Sequence, residues 1–177
     1  MRAGDRLLIL TAAHRSSGNA YPDTIDVDGN AADLLHRSVQ EVTTRLSVSA
    51  FQVLLPEAPA SPLISIQCSW EKLPLGGAIS VWRIRGNEAG APQVAIGTGN
   101  LTVPGASDGS MVALVYGVDT AGEIGFSGIG EPMVSGTGNV YATSFAAGSL
   151  APAGEVTVSP DRTPSHGCGL IAVPIVA

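Results

Sequence analysis

Arg6 to Ala13 is a short apolar run, best read as a buried strand, and it gives way to a polar stretch from His14 to Asp23 rich in Ser, Gly and Asn. Thr24 to Asp28 fits a second short strand. From Asn30 to Val42 the apolar positions Ala31, Leu34, Leu35, Val39 and Val42 fall three and four apart, which predicts the one helix of the chain. Its polar face would carry Asp33, Arg37 and Glu41, with Arg37 and Glu41 four apart and able to pair.

From Arg45 the period shortens to two. Leu46, Val48, Ala50 and Val53 to Leu55 mark a strand that Pro56, Pro59 and Pro62 break. Further strands are predicted at Ile64 to Trp70, Ala78 to Arg85, Gln93 to Gly97, Asn100 to Val103, Met111 to Asp119 and Ile124 to Gly128, and short strands so closely punctuated by turns are the pattern of a β-sandwich. After a loose Ser/Gly/Thr segment, Asn139 to Ala146, Glu155 to Ser159 and Leu170 to Val176 can each make one strand, separated by loops at Gly148 to Gly154 and Ser159 to Gly169. Three isolated strands cannot bury their faces alone. They are expected to pair with the N-terminal strand, to dock on the sandwich, or to complete a sheet in another subunit. The fold class is therefore all-β, in three parts: an arm with a strand and a short helix over 1–47, an antiparallel sandwich over 48–134, and a β-rich arm over 135–177.

Composition narrows the choice of partners. Of 177 residues only 14% are charged and 5% aromatic, against 45% hydrophobic. So little charge suits either a Ser/Thr/Gly-surfaced β-domain or a subunit whose surface is partly covered. The net charge of −6 and the scattered arginines, with Lys72 the single lysine, argue against a phosphate-backbone binder. No stretch approaches the ~18 apolar residues of a membrane-spanning helix. Asp5 interrupts the basic start of the chain, so no export signal is expected.

Two stretches carry a family resemblance. The run Trp70-Glu-Lys-Leu-Pro74-Leu-Gly76-Gly77-Ala-Ile79-Ser-Val-Trp82-Arg-Ile84 resembles the B-to-C hairpin of a fibronectin type III domain. Leu101-Thr-Val-Pro104-Gly105 and then Met111 to Ser127, with its Val118-Asp119-x-x-Gly122 corner, resemble that family's E-to-F turn, long F strand and the start of strand G. The resemblance implies that Trp70 plugs the core between two sheets and that Ile79, Trp82 and Ile84 pack along strand C. Met111 stands where the family usually has the tyrosine-corner Tyr, so the hydrogen bond of that tyrosine would be missing.

No cluster names a reaction. His14, His36 and His166 show no zinc-ligand spacing. His166-Gly-Cys168 places a thiol beside an imidazole in sequence, and Ser127 is a second conceivable nucleophile. Cys68 and Cys168 could form one bridge, although Cys68 reads more simply as a buried thiol. Asp26, Asp28, Asn30 and Asp33 offer several oxygens, as calcium loops do, but their spacing departs from the EF-hand, and a strand-to-helix turn, with Gly29 at positive φ and Asn30 capping the helix, accounts for them better. Gly125-Phe-Ser127-Gly-Ile misses the nucleophile elbow, and the Gly-x-Gly pairs at Gly97, Gly128 and Gly136 lack a following helix. Tyr21, Tyr116 and Tyr141 are too dispersed to mark a site. The sequence thus assigns no catalytic, metal or cofactor residue. The expected role is a non-catalytic structural or adhesion subunit that partners other protein subunits, copies of itself included. Domains of the resembling family recur on tailed-phage virions, as tail, baseplate, collar or capsid-surface components; a carbohydrate- or cell-surface-binding module is the alternative.

Overall fold

A strand that is buried at nearly every position is covered on both faces, and four long strands of this chain are placed that way. The computed structural model describes residues 1, 3–41, 44–58, 63–85, 88–106, 110–130, 134–138, 143–150 and 154–176. The first inner sheet has the order β4 (Asp33–Glu41), β5 (Arg45–Leu54), β1 (Arg6–Arg15), β7 (Gly76–Ile84). The second inner sheet runs β13 (Val134–Gly138), β14 (Thr143–Leu150), β11 (Ser110–Val118), β16 (Gly167–Val176), and β16 is flanked by both β8 (Glu88–Ala89) and β9 (Gln93–Gly97). Two three-stranded outer sheets complete the fold: β3 (Asn30–Ala31), β2 (Pro22–Val27), β6 (Ile66–Trp70), and β10 (Leu101–Pro104), β15 (Glu155–Pro160), β12 (Phe126–Ser127). Every pairing is antiparallel.

Alternation of side chains stacks these sheets into four layers. Leu8, Leu10 and Ala12 of β1, with Leu46 and Val48 of β5, face Val112, Leu114, Tyr116, Ile171 and Val173 across the central interface. The opposite faces of the same strands feed two further cores. Leu7, Ile9, Phe51 and Val53 meet Ile25 and Val27 of one outer sheet. Met111, Ala113, Val115, Leu170 and Ala172 meet Leu101, Val103, Val156 and Val158 of the other.

The all-β expectation holds, with corrections. The helix predicted over Asn30 to Val42 is absent: residues 30–41 form β3 and the edge strand β4, while Val42 lies outside the described residues. Asp28 and Gly29 both take positive φ, 50° and 82°, which makes the two-residue turn that folds β2 back on β3. A register shift between Leu34 and His36 then bulges β4, and the extra residue turns a period of two into the three-and-four spacing that imitates a helix. Arg37 and Glu41 do not pair. Arg37 stacks 3.9 Å over the Tyr21 ring, and Glu41 reaches Arg45 at 3.3 Å across the β4–β5 hairpin.

Segment 48–134 contributes strands to all four sheets. Its β5 pairs with β1 from the N-terminal segment, and its β11 lies between β14 and β16 from the C-terminal one. Of the three fates open to the C-terminal strands, they take docking within the chain, and β14 extends to Leu150 into the expected Gly148 to Gly154 loop. Trp70 and Trp82 sit on strands of different sheets, both partly buried. Ile79 does not pack in the core; it stands on the outward face of β7, 45% exposed.

Candidate functional site

The central core ends in polar groups. His14 continues the inward row of β1 after Ala12, and Tyr116 continues that of β11 after Leu114. Their side chains meet across the interface, with His14 Nδ1 2.8 Å from Tyr116 Oη and the rings tilted by 32°. The Tyr116 hydroxyl also bonds the Thr143 side chain of β14. One buried hydrogen-bonded group thus joins strands β1, β11 and β14 from two sheets. His14 is 1% exposed and Tyr116 fully buried, so no substrate atom reaches either.

Burial sets their protonation. It is the main cause that holds the His14 imidazole down at about 4; the nearby His166 lowers it further, and a hydrogen bond with the Gly76 backbone offsets part of this. Burial likewise pushes the Tyr116 phenol well above its usual value. The pair is therefore a neutral imidazole and a neutral phenol, an interlock between sheets rather than an acid and a base poised for transfer.

Gly76 makes room for it. It lies opposite His14 in the β1–β7 register, and a Cβ there would come within 2.9 Å of His14 Cε1 and 3.0 Å of both Thr143 Cγ2 and Tyr116 Oη. Gly76→Ala is expected to lower the unfolding free energy by about 1–3 kcal/mol through overpacking, read from urea unfolding curves. An unchanged midpoint would show that these side chains move aside freely.

A second polar node fixes the loop before β16. The buried Asp119 carboxylate accepts hydrogen bonds from Ser165 Oγ at 2.7 Å and from the Ala121 amide at 3.2 Å, and it lies 3.0 Å from Arg162 Nε. These contacts, the Ser165 bond foremost, hold its pKa below the usual carboxylate value. The loop is anchored again where the His166 amide donates to Val118 O at 3.1 Å.

The other sequence candidates are placed apart. Cys68 packs in the core under one outer sheet and Cys168 in the core under the other, on opposite sides of the four-layer stack, and both are free thiols. Cys168 Sγ donates to Gly99 O at 3.6 Å, and burial pushes its pKa up to about 11, away from a reactive thiolate. Ser127 Oγ donates to Ser159 O at 3.3 Å. Asp26 accepts the Gly29 amide at 2.7 Å and Asp28 the Ser65 amide at 2.8 Å, so both carboxylates are engaged in holding the turn. Among the described residues no three His, Cys, Asp or Glu side chains converge as a metal site. Tyr141 lies outside the described residues.

Neither a protein-family model, nor a curated protein, nor a solved structure matches this chain.

Sequence reasoning missed Tyr116, Thr143 and Gly76 as a unit, since 60 or more residues of chain separate His14 from its partners. It also left a surface feature unread. Both edge strands of the first inner sheet present apolar side chains on the same outward face, Leu34 and Val39 on β4 and Ile79 and Val81 on β7, each between 37% and 47% exposed.

Proposed function

We propose that this chain is a non-catalytic structural subunit of a larger protein assembly, of the kind that tailed-phage virion components build as tail, baseplate, collar or capsid-surface parts. The observation that carries the reading is the pair of sheet edges bearing exposed apolar side chains, on a chain with few charges to solvate its surface. The enclosed polar groups support it, because they tie layers together. A rigid four-layer β block with adhesive edges serves a particle that needs a shaped, stable part. Density-gradient fractionation of the producing cells, with mass spectrometry of the fractions, should find the chain at fixed stoichiometry in a sedimenting particle. Recovery only at the top of the gradient, as the 17.9 kDa chain, would overturn the reading.

A further inference from the structure

We infer that the chain joins a second copy of itself head to tail, the β4 edge of one copy adding to the β7 edge of the next so that the first inner sheet runs on through successive copies. The inference rests on the assembly reading and names its contact.

Four observations converge on this occupant. No described strand pairs with the outer edge of β4 or of β7, and the two strands are each nine residues long. The sheet alternates direction at every step, so β4 and β7 run oppositely. A copy placed beside the first in the same orientation therefore continues the antiparallel order without being turned over. Leu34 and Val39 on one edge and Ile79 and Val81 on the other share the outward face of the sheet, where pairing would set them side by side as cross-strand neighbours.

Charge complements the geometry. The β4 edge carries exposed Asp33, with Asp23 and Asp28 exposed on the adjoining outer sheet, while Glu41 is paired with Arg45 and Arg37 is folded back over Tyr21. Just past the end of β7 stands exposed Arg85, beside Arg83, whose charge is taken up by the buried Asp5, and Lys72 balances Glu71 in the preceding loop. Between Gly76 and Trp82, β7 has none of the charges or prolines that commonly protect an edge. Among the described residues of these edges, the charges left unpaired are acidic beside β4, at Asp33, and basic at the end of β7, at Arg85, which favours head-to-tail joining over β7 meeting β7, where like charges would oppose.

The test caps each edge separately in the full chain. Ile79→Lys blocks β7 and Val39→Lys blocks β4, both at exposed positions, with Val81→Lys and Leu34→Lys as a second pair should either fail to give a wild-type thermal unfolding curve. By analytical ultracentrifugation the wild-type mass should rise with concentration above 17.9 kDa and fall back as salt is raised. Each capped variant alone should lose that association and stay monomeric, and an equimolar mixture should reach twice the monomer mass and stop there. A wild-type chain that stays monomeric at every concentration overturns the inference, as does a Val39→Lys chain that still dimerises alone, which would signal β7 meeting β7. Full association by both variants overturns it too. In each of those cases the chain can still be recovered in a particle on the gradient, so the broader reading fails only by its own test.

Discussion

Tyr116→Ala should lower the unfolding free energy by about 3–5 kcal/mol, the range expected for deleting a buried aromatic. Tyr116 is fully buried in the central core, beside Leu114 and Val118 of its own strand. Truncation opens a cavity between the two inner sheets and removes the His14 and Thr143 hydrogen bonds together. Domains of this size are commonly stable by only about 5–15 kcal/mol, so the variant should unfold at markedly lower denaturant. Tyr116→Phe separates the two contributions: it keeps the ring and loses the hydroxyl, at an expected cost of about 1–3 kcal/mol. Urea unfolding of both variants at pH 7 checks this. If Tyr116→Phe costs as much as Tyr116→Ala, the stability resides in the polar interlock and not in packing.

Acidification from pH 7 to pH 4 should remove about 3 kcal/mol of stability through His14 alone. The sign follows from its lowered pKa. In the unfolded chain the imidazole takes up a proton near pH 6.5, whereas in the folded chain burial withholds that proton until about pH 4. Between these values the unfolded state binds more protons, so stability falls as the pH falls through this window and levels off below it. Asp119, whose folded pKa is depressed, adds a further loss only below its unfolded value, as the carboxylate is protonated and releases Ser165 and Arg162. The check is a set of urea titrations at several pH values on the wild type and on His14→Gln. The variant should be less stable at pH 7 and show a flatter dependence between pH 6.5 and 4. An equal slope in both chains would place the acid sensitivity elsewhere.

A four-layer β fold gains from buried groups that are neutral at neutral pH, because they bond across layers without the desolvation cost of a charge. His14 and Tyr116 do this for the central interface. At the adjoining corner Asp119 is charged, but its ion pair with Arg162 and its hydrogen bonds compensate the burial.

Much of the strand content was legible because its cause is local. The apolar run of β1, the alternation after Arg45 and the Pro and Gly punctuation between strands all act over a few residues, and the β-rich result follows from them. The positive φ of Gly29 was legible for the same reason. The misread helix shows the limit: one bulge at Leu34 to His36 shifts every later side chain to the other face, and the resulting spacing is helical on paper. What distinguishes the two is the edge of a sheet waiting beside the segment, which lies in β5, beyond the window that periodicity reads. Of the polar site, His14 and Asp119 were visible as residues, but their partners were not.

The sequence by itself determined that this chain is built of short antiparallel strands with apolar interiors, few charges and no clustered basic surface. Only the tertiary structure decided that the strands stack in four layers, that the first and last long strands are central ones, and that His14 meets Tyr116 across 102 positions of chain. The physical reason is the reach of the forces involved. Backbone preference and side-chain alternation act between near neighbours, whereas sheet order, face-to-face packing and the pairing of buried polar groups are settled by which distant strands exclude water together.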